Sequence, residues 1–438
     1  GLEPPVVQGN DILGNVMFGS TTESRINTTT GGNQTAQSVT ALSNGGWVVT
    51  WQQGHDIYQQ AYDAHGEPAG SETRVSPDLG SAVNFEAPQV VALTDGGWVT
   101  MWGISHQSLQ AQIFQADGTA GASLVIAVQF GRPQDAQIVA LPDGGWAAIW
   151  STDYFISEGV HVATFDADGN PVMPAMRVDT QTSSLFWENA KVTPLANGGF
   201  VATWVASDYN LYQQVFDEHG ALVGSNEGVN TGGSTLNGPY YEVIVRRGGG
   251  WIVAWSAGSG LNSEVYQRVY DENGNAGTVT QINRGSDGPQ NFVQMALLEG
   301  GGWVVSWVGD DDTSAGTSNG LFQRVYNANG DALGPETMVN TTVEGWQYVH
   351  SVVALTGGGW VVTWESTNQD GSGLGVYQQV YGANGQPVGG ETRVNGETEG
   401  DQKVIKVTAL PDGGWVVTWQ SAGQDGDALV RRSVLPGG

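Results

Sequence analysis

The sequence predicts an all-β chain, a single eight-bladed β-propeller of four-stranded antiparallel blades. Three observations carry that expectation. A Gly-Gly-aromatic signature recurs with its ring at Trp47, Trp98, Trp146, Phe200, Trp251, Trp303, Trp360 and Trp415. Every signature sits at the same place in a unit of about 50 residues built from four short extended segments, a period in the propeller range. The last unit stops after its third segment, whereas the chain opens on a stray fourth one.

The first segment is typified by QSVTAL (Gln37 to Leu42) and ends in SNGG, TDGG, PDGG or ANGG. Asn-Gly and Asp-Gly supply the positive φ angles of a tight hairpin. The second segment is WVVTW, and GGWVVTW stands letter for letter at 45–51, 358–364 and 413–419. In a strand, residues i, i+2 and i+4 share a face, so Trp47, Val49 and Trp51 oppose Val48 and Thr50, and apolar residues on both faces mean burial on both sides. The third segment reads IYQQAYD, LYQQVFD, VYQRVYD or VYQQVYG, with turns such as DAHG, DENG and NANG after it. The fourth is ETRVS (Glu72 to Ser76) or ETRVN (Glu391 to Asn395).

The termini decide between an open and a closed array. The last unit ends with ALVRRSV (Ala428 to Val434), and ESRIN (Glu23 to Asn27) precedes the first complete unit. If that strand completes the last blade the ring closes, an arrangement with no purpose in an open solenoid. A pair of β-trefoils is the alternative, disfavoured because eight units do not group by three. The expected organisation is therefore a linker or strap over 1–20 and the propeller over 21–438.

Composition bounds the function. With 44 acidic against 15 basic residues the net charge is -29, and Lys191, Lys403 and Lys406 are the only lysines. Such a field repels nucleic acid and anionic membranes and attracts cations, so calcium, saline surroundings or neutral sugars suit it better. The absence of cysteine excludes disulfides, thiol catalysis and cysteine-ligated metals. No apolar run is long enough to span a bilayer, and GLEPPVVQGND lacks a signal core, so a soluble, mature or excised chain is expected.

Of 17 tryptophans, 15 occupy two frame positions, seven after Gly-Gly and eight at Trp51, Trp102, Trp150, Trp204, Trp255, Trp307, Trp364 and Trp419. A ring needed by every blade is a packing ring. Trp187 and Trp346 belong to no frame position and precede a first strand. If the first strand is innermost, the near-identical first-to-second and third-to-fourth turns share one face. The variable second-to-third and fourth-to-first loops share the other, which is where binding is expected.

Those loops hold aromatics beside Asn, Gln, Asp and Glu, a composition that stacks on sugar rings and hydrogen-bonds hydroxyls. The expected contacts are Trp187, Trp346, Tyr348 and His350, then Phe85, Tyr154, Tyr240 and Tyr241; capping of blade ends is the structural alternative. Acidic loops at 308–320, 368–375 and 422–428 offer Asp310, Asp311, Asp312, Asp370, Asp425 and Asp427 as oxygen donors for calcium, without a full EF-hand spacing. No G-x-S-x-G, H-E-x-x-H or P-loop is present. A polysaccharide lyase or glycosidase would have to draw its acid and base from His55, His106, His350, Tyr154, Glu86 and Glu188, since the two groups need only meet in space.

GGWVVTW, the YQQVYDANG-like turns, GGETRVN (Gly389 to Asn395) and QDGSG (Gln369 to Gly373) together resemble the tandem repeats of large secreted calcium-binding RTX-type proteins of marine and soil bacteria. QGNDILG (Gln8 to Gly14) is similar to one unit of the RTX calcium nonapeptide; a single copy makes no β-roll and reads as a trace of neighbouring sequence or a linker. The resemblance implies export by a type I system and a role at the cell surface or outside it, often in adhesion, and it maps no catalytic residue onto this chain. The expectation is a monomeric, extracellular, lectin-like propeller that binds a glycan on its variable face, with a polysaccharide-active enzyme and a structural spacer as alternatives.

Overall fold

The computed structural model describes residues 18–20, 23–29, 34–77, 85–104, 107–128, 133–152, 159–179, 188–231, 235–259, 262–284, 288–310, 319–422 and 428–436. Eight antiparallel sheets follow one another along the chain, seven with their strands in sequence order and the eighth completed by amino-terminal strands, and no α-helix occurs among the described residues. The first blade, for example, comprises Gln34–Ala41, Trp47–Gln53, Asp56–Tyr62 and Thr73–Arg74. The first strands of successive blades touch around the whole circuit, and Gln34–Ala41 meets Gln402–Ala409 of the eighth. This is the eight-bladed propeller with its first strands innermost.

Local chemistry explains the blade. In the first hairpin Leu42 N–H donates to Gly46 O at 2.8 Å, and Asn44 Oδ1 accepts from Gly46 N. Gly45 has φ +88°, and a side chain on Gly46 would collide with the Tyr62 carbonyl oxygen, which is why the signature needs both glycines. The second strand is buried on both faces in every blade. In the first seven blades its leading ring stacks on the aromatic paired with it in the third strand, as in Trp47 on Tyr62 at 3.9 Å and Trp146 on Phe165 at 4.1 Å, whereas Trp415 of the eighth pairs with Val434.

The repeated polar letters join blades. Gln59, Gln213, Gln267, Gln323 and Gln378, the first glutamine of each YQQ or YQR (FQR in the sixth), accept the indole N–H of Trp98, Trp251, Trp303, Trp360 and Trp415 in the next blade at 3.0–3.2 Å. Where Val162 replaces that glutamine, the next blade carries Phe200, which has no N–H to satisfy. Where Ala111 replaces it, the Trp146 indole nitrogen is buried without a partner among the described residues.

ETRVN works in the same way. Its asparagine accepts from the backbone N–H that opens the third strand, as Asn395 does from Val376 at 2.8 Å and Asn340 from Leu321 at 2.7 Å. Its glutamate reaches the preceding blade, where Glu391 accepts from Thr341 N and Glu336 from Arg284 N.

Ring closure repeats this chemistry with the chain's own amino-terminal segment. Ser24 and Arg25 pair with Arg431 and Val430. Asn27 accepts from Leu429 N at 3.0 Å as Asn395 does from Val376, and Glu23 accepts from Gly396 N as Glu391 does from Thr341. ESRIN is therefore a complete fourth strand. Phe18–Ser20, within the stretch expected as linker, pairs further out with 434–436. At this seam Arg431 takes the glutamine's place, standing over Tyr62 at 4.2 Å and Trp47 at 4.9 Å and donating to Gly66 O.

Candidate functional site

The two faces divide as the loop lengths imply. Gly45 and Ala64 bring the first-to-second and third-to-fourth turns together. On the opposite face, Thr367 N donates to Trp346 O at 3.0 Å and Ala422 N to Asp401 O at 2.8 Å, joining second-to-third loops to fourth-to-first loops. There each first strand begins with a β-bulge, between Thr35 and Ser38 in the first blade and at matching places in the other seven. Phe292, Val404, Asn189 and Ala36 stand at this bulge with φ between +51° and +57°. For a β-branched residue such as Val404 that conformation is a true outlier, and it must be held by its surroundings. Val404 N donates to Glu365 Oε1 at 2.6 Å, and its carbonyl accepts from Gln37 Nε2 of the first blade.

The bulge sorts the aromatics. Tyr240 and Phe292 emerge from adjacent blades, each 38 % exposed, with ring centroids 4.4 Å apart. On the next blade Trp346, 46 % exposed, lies beside Tyr348, 40 % exposed, at 6.4 Å. Thr367 fixes the Trp346 backbone by accepting its N–H at 2.6 Å and donating to its carbonyl. Three consecutive blades thus present two aromatic pairs at the mouth of the central channel.

Two expected contacts are corrected. Tyr241 is buried, and its hydroxyl lies 2.5 Å from Asn189 O, 2.9 Å from Thr203 O and 3.1 Å from Thr203 Oγ1, so it pins the fifth blade to the fourth. His350 is buried with Nε2 3.0 Å from Ser306 Oγ, and burial holds its imidazole down at about 4, neutral at physiological pH. Neither can meet a ligand on the surface. His55 is exposed on the first blade, away from the aromatic pairs, and does not meet His350.

The rest lie outside the described residues. These are Trp187, Tyr154, His106, Asp311, Asp312, Asp425 and Asp427, together with the side chains of Phe85, Glu86, Glu188 and Asp310. Asp370 is engaged by Asn395 Nδ2 at 3.0 Å, and no cluster of three metal-ligating side chains occurs among the described residues. Those residues alone do not build a calcium cage.

The lysines carry a signal that the loops did not. Just past the bulge, one residue of each first strand pairs with the residue preceding the second frame tryptophan, and these eight positions form one level of the inner ring. Ser38, Gln89, Gln137, Gln294 and Ser351 hold five of these places, and Lys191, Glu242 and Lys406 hold the others. Lys191 Nζ is 2.8 Å from Glu242 Oε2. Lys406 is exposed by surface area, yet the protein crowded around its ammonium desolvates it and lowers it below the usual lysine range; Lys191 lowers it further from the opposite arc, and Glu242 raises it. Beneath the mouth, burial pushes the Glu365 carboxyl up to about 7, against the Val404 and Ile405 amides that favour its charged form. A separate cleft of about 780 Å³ lies at the seam of the eighth and first blades, lined by Arg25, Thr28, Tyr62, Glu72 and Arg431, away from the mouth.

No family model matches the chain, and no curated protein matches it in sequence. Solved structures do match in shape. The Dos1 propeller shares 10% identity over 96% of each chain with a TM-score of 0.56. A Penicillium chrysogenum α-L-arabinanase complexed with arabinobiose shares 12% identity over 95% of this chain and 98% of its own, at 0.44. An ulvan lyase bound to a glucuronate–sulfated rhamnose repeat shares 11% over 92% and 96%, at 0.47. At such identities the likeness is one of fold.

Proposed function

We propose that the protein binds a saccharide across the channel mouth on its variable face. The observation that supports this reading is the contrast between aromatic sets. The frame tryptophans of the second strands are buried, whereas Trp346, Tyr348, Tyr240 and Phe292 are held exposed in pairs on a rigid rim. Flat rings on a preorganised scaffold suit the apolar faces of sugar rings, and fixing them in advance lowers the ordering cost of binding. Strain at Phe292 accords with a functional position, since left-handed non-glycine residues cluster at ligand sites. The setting we propose is extracellular, in keeping with the resemblance to secreted repeat proteins.

A glycan array followed by calorimetry tests the reading. W346A and F292A are expected to weaken binding of the selected glycan at least about tenfold each, the loss of roughly 1.4 kcal/mol, with melting temperatures near the parent's. Unchanged affinity in both variants would refute it. Assaying the same panel for new reducing ends and for unsaturated uronates separates a binder from a lyase or glycosidase.

A further inference from the structure

The chain's three lysines, all on first strands, are its least expected feature. Among 15 basic residues against 44 acidic ones, random scatter would put lysine on outer strands and turns. Instead Lys191 and Lys406 occupy the same level of the inner ring, and Lys403 stands one bulge above Lys406 at the rim. Across the eight places of that level the formal charge is +2 − 1 = +1, from Lys191, Lys406 and Glu242, and the other five are serine or glutamine. Lys191 is neutralised by Glu242 at 2.8 Å. Lys406 has no ion pair among the described residues, and its side chain is open to the channel.

We infer that the channel beneath the aromatic mouth is an anion subsite centred on Lys406, and that the saccharide bound there carries a carboxylate or a sulfate ester. This rests on the saccharide reading of the mouth and specifies its substrate class. The net charge of -29 does not oppose it. Charges more than a Debye length away, about 8 Å at physiological ionic strength, are screened, whereas an ammonium inside a channel meets its partner at contact distance. The neighbouring amides and hydroxyls supply hydrogen bonds to the remaining sugar oxygens. Long polyanions bring many charges within that distance of the acidic surface and are repelled on entry, which leaves short acidic oligosaccharides as the best occupants.

The test compares trigalacturonate, a sulfated neutral trisaccharide and the carboxyl-reduced parent by calorimetry on the full chain, in parent, K406M, K406R and W346A proteins. The parent is expected to favour at least one charged trisaccharide over the neutral one by about tenfold or more. The preferred one names the anion. K406M is expected to lose that preference while keeping neutral affinity, K406R to keep most of it, and W346A to weaken all three alike. Equal affinity of the parent for all three, or a preference that survives K406M, overturns the inference while leaving the saccharide reading intact. If no saccharide binds, that reading fails, and inorganic sulfate at fixed ionic strength decides the subsite. A rise in melting temperature for the parent and not for K406M supports it; equal shifts overturn it.

Discussion

Glu365 offers the most quantitative check on the inner architecture. It follows Trp364 in the seventh blade, is 5 % exposed, and holds the left-handed Val404 of the eighth blade by accepting its N–H. Burial moves its carboxyl from 4.5 to about 7. Below 4.5 the folded and unfolded states both carry the proton, and between 4.5 and 7 the folded state holds it while the unfolded state releases it. Stability therefore falls across that window as pH rises, and the full loss is reached above 7. The shift of 7 − 4.5 = 2.5 corresponds to a ceiling of about 3.4 kcal/mol at about 1.36 kcal/mol per pH unit. Glu365→Gln keeps the acceptor for Val404 and removes the titration. Urea unfolding of parent and variant from about pH 4 to 8.5 is expected to give matching stabilities at the acid end and an advantage of about 1–3 kcal/mol for the variant at the alkaline end. Taking the difference cancels the general repulsion of an acidic chain. Curves that stay parallel throughout would mean that Glu365 ionises normally and is not buried as described.

The remaining predictions concern locks between blades and metal. Q267V should cost about 1–3 kcal/mol by orphaning the Trp303 indole, and W303F should recover part of it by recreating the Val162–Phe200 combination; a double-mutant cycle in urea with no coupling contradicts the lock. N27A should cost about 1–2 kcal/mol in the same assay by freeing Leu429 N–H, and no change would mean that the amino-terminal strand does not close the ring. Calcium held by the acidic loops predicts a melting temperature that rises in millimolar calcium and falls back with chelator; an unmoved transition removes calcium from the account.

The ring was legible because its determinants are local and repeated. Asn-Gly and Asp-Gly fix the hairpins, alternation fixes the buried second strand, and a stray ESRIN next to an incomplete last unit declares the closure. The site was less so, for a reason visible in two places. In NGPYY the two tyrosines look alike, but Tyr240 is exposed and Tyr241 is buried. Tyr348 and His350 are two apart and would share a face in a regular strand; the register shift between them reverses parity, so one is exposed and the other is buried. A bulge inserts one residue without a mark in composition, and sequence patterning assumes that none is there. The lysines were visible as the only three of their kind, but their meaning needed the knowledge that two fall at one level of the inner ring. YQQ and ETRVN were visible as repeats, yet their polar side chains bind other blades, a distance that alternation within one strand does not convey.

A saccharide is expected to sit at the mouth on the variable face, and not on another surface of the ring. A crystal structure of the protein with the glycan selected by the array tests it most directly. Sugar rings are expected against Trp346–Tyr348 and Tyr240–Phe292, with an acidic substituent reaching toward Lys406. A glycan lodged on the short-turn face, along the outer fourth strands or in the cleft beside Arg431 would contradict it.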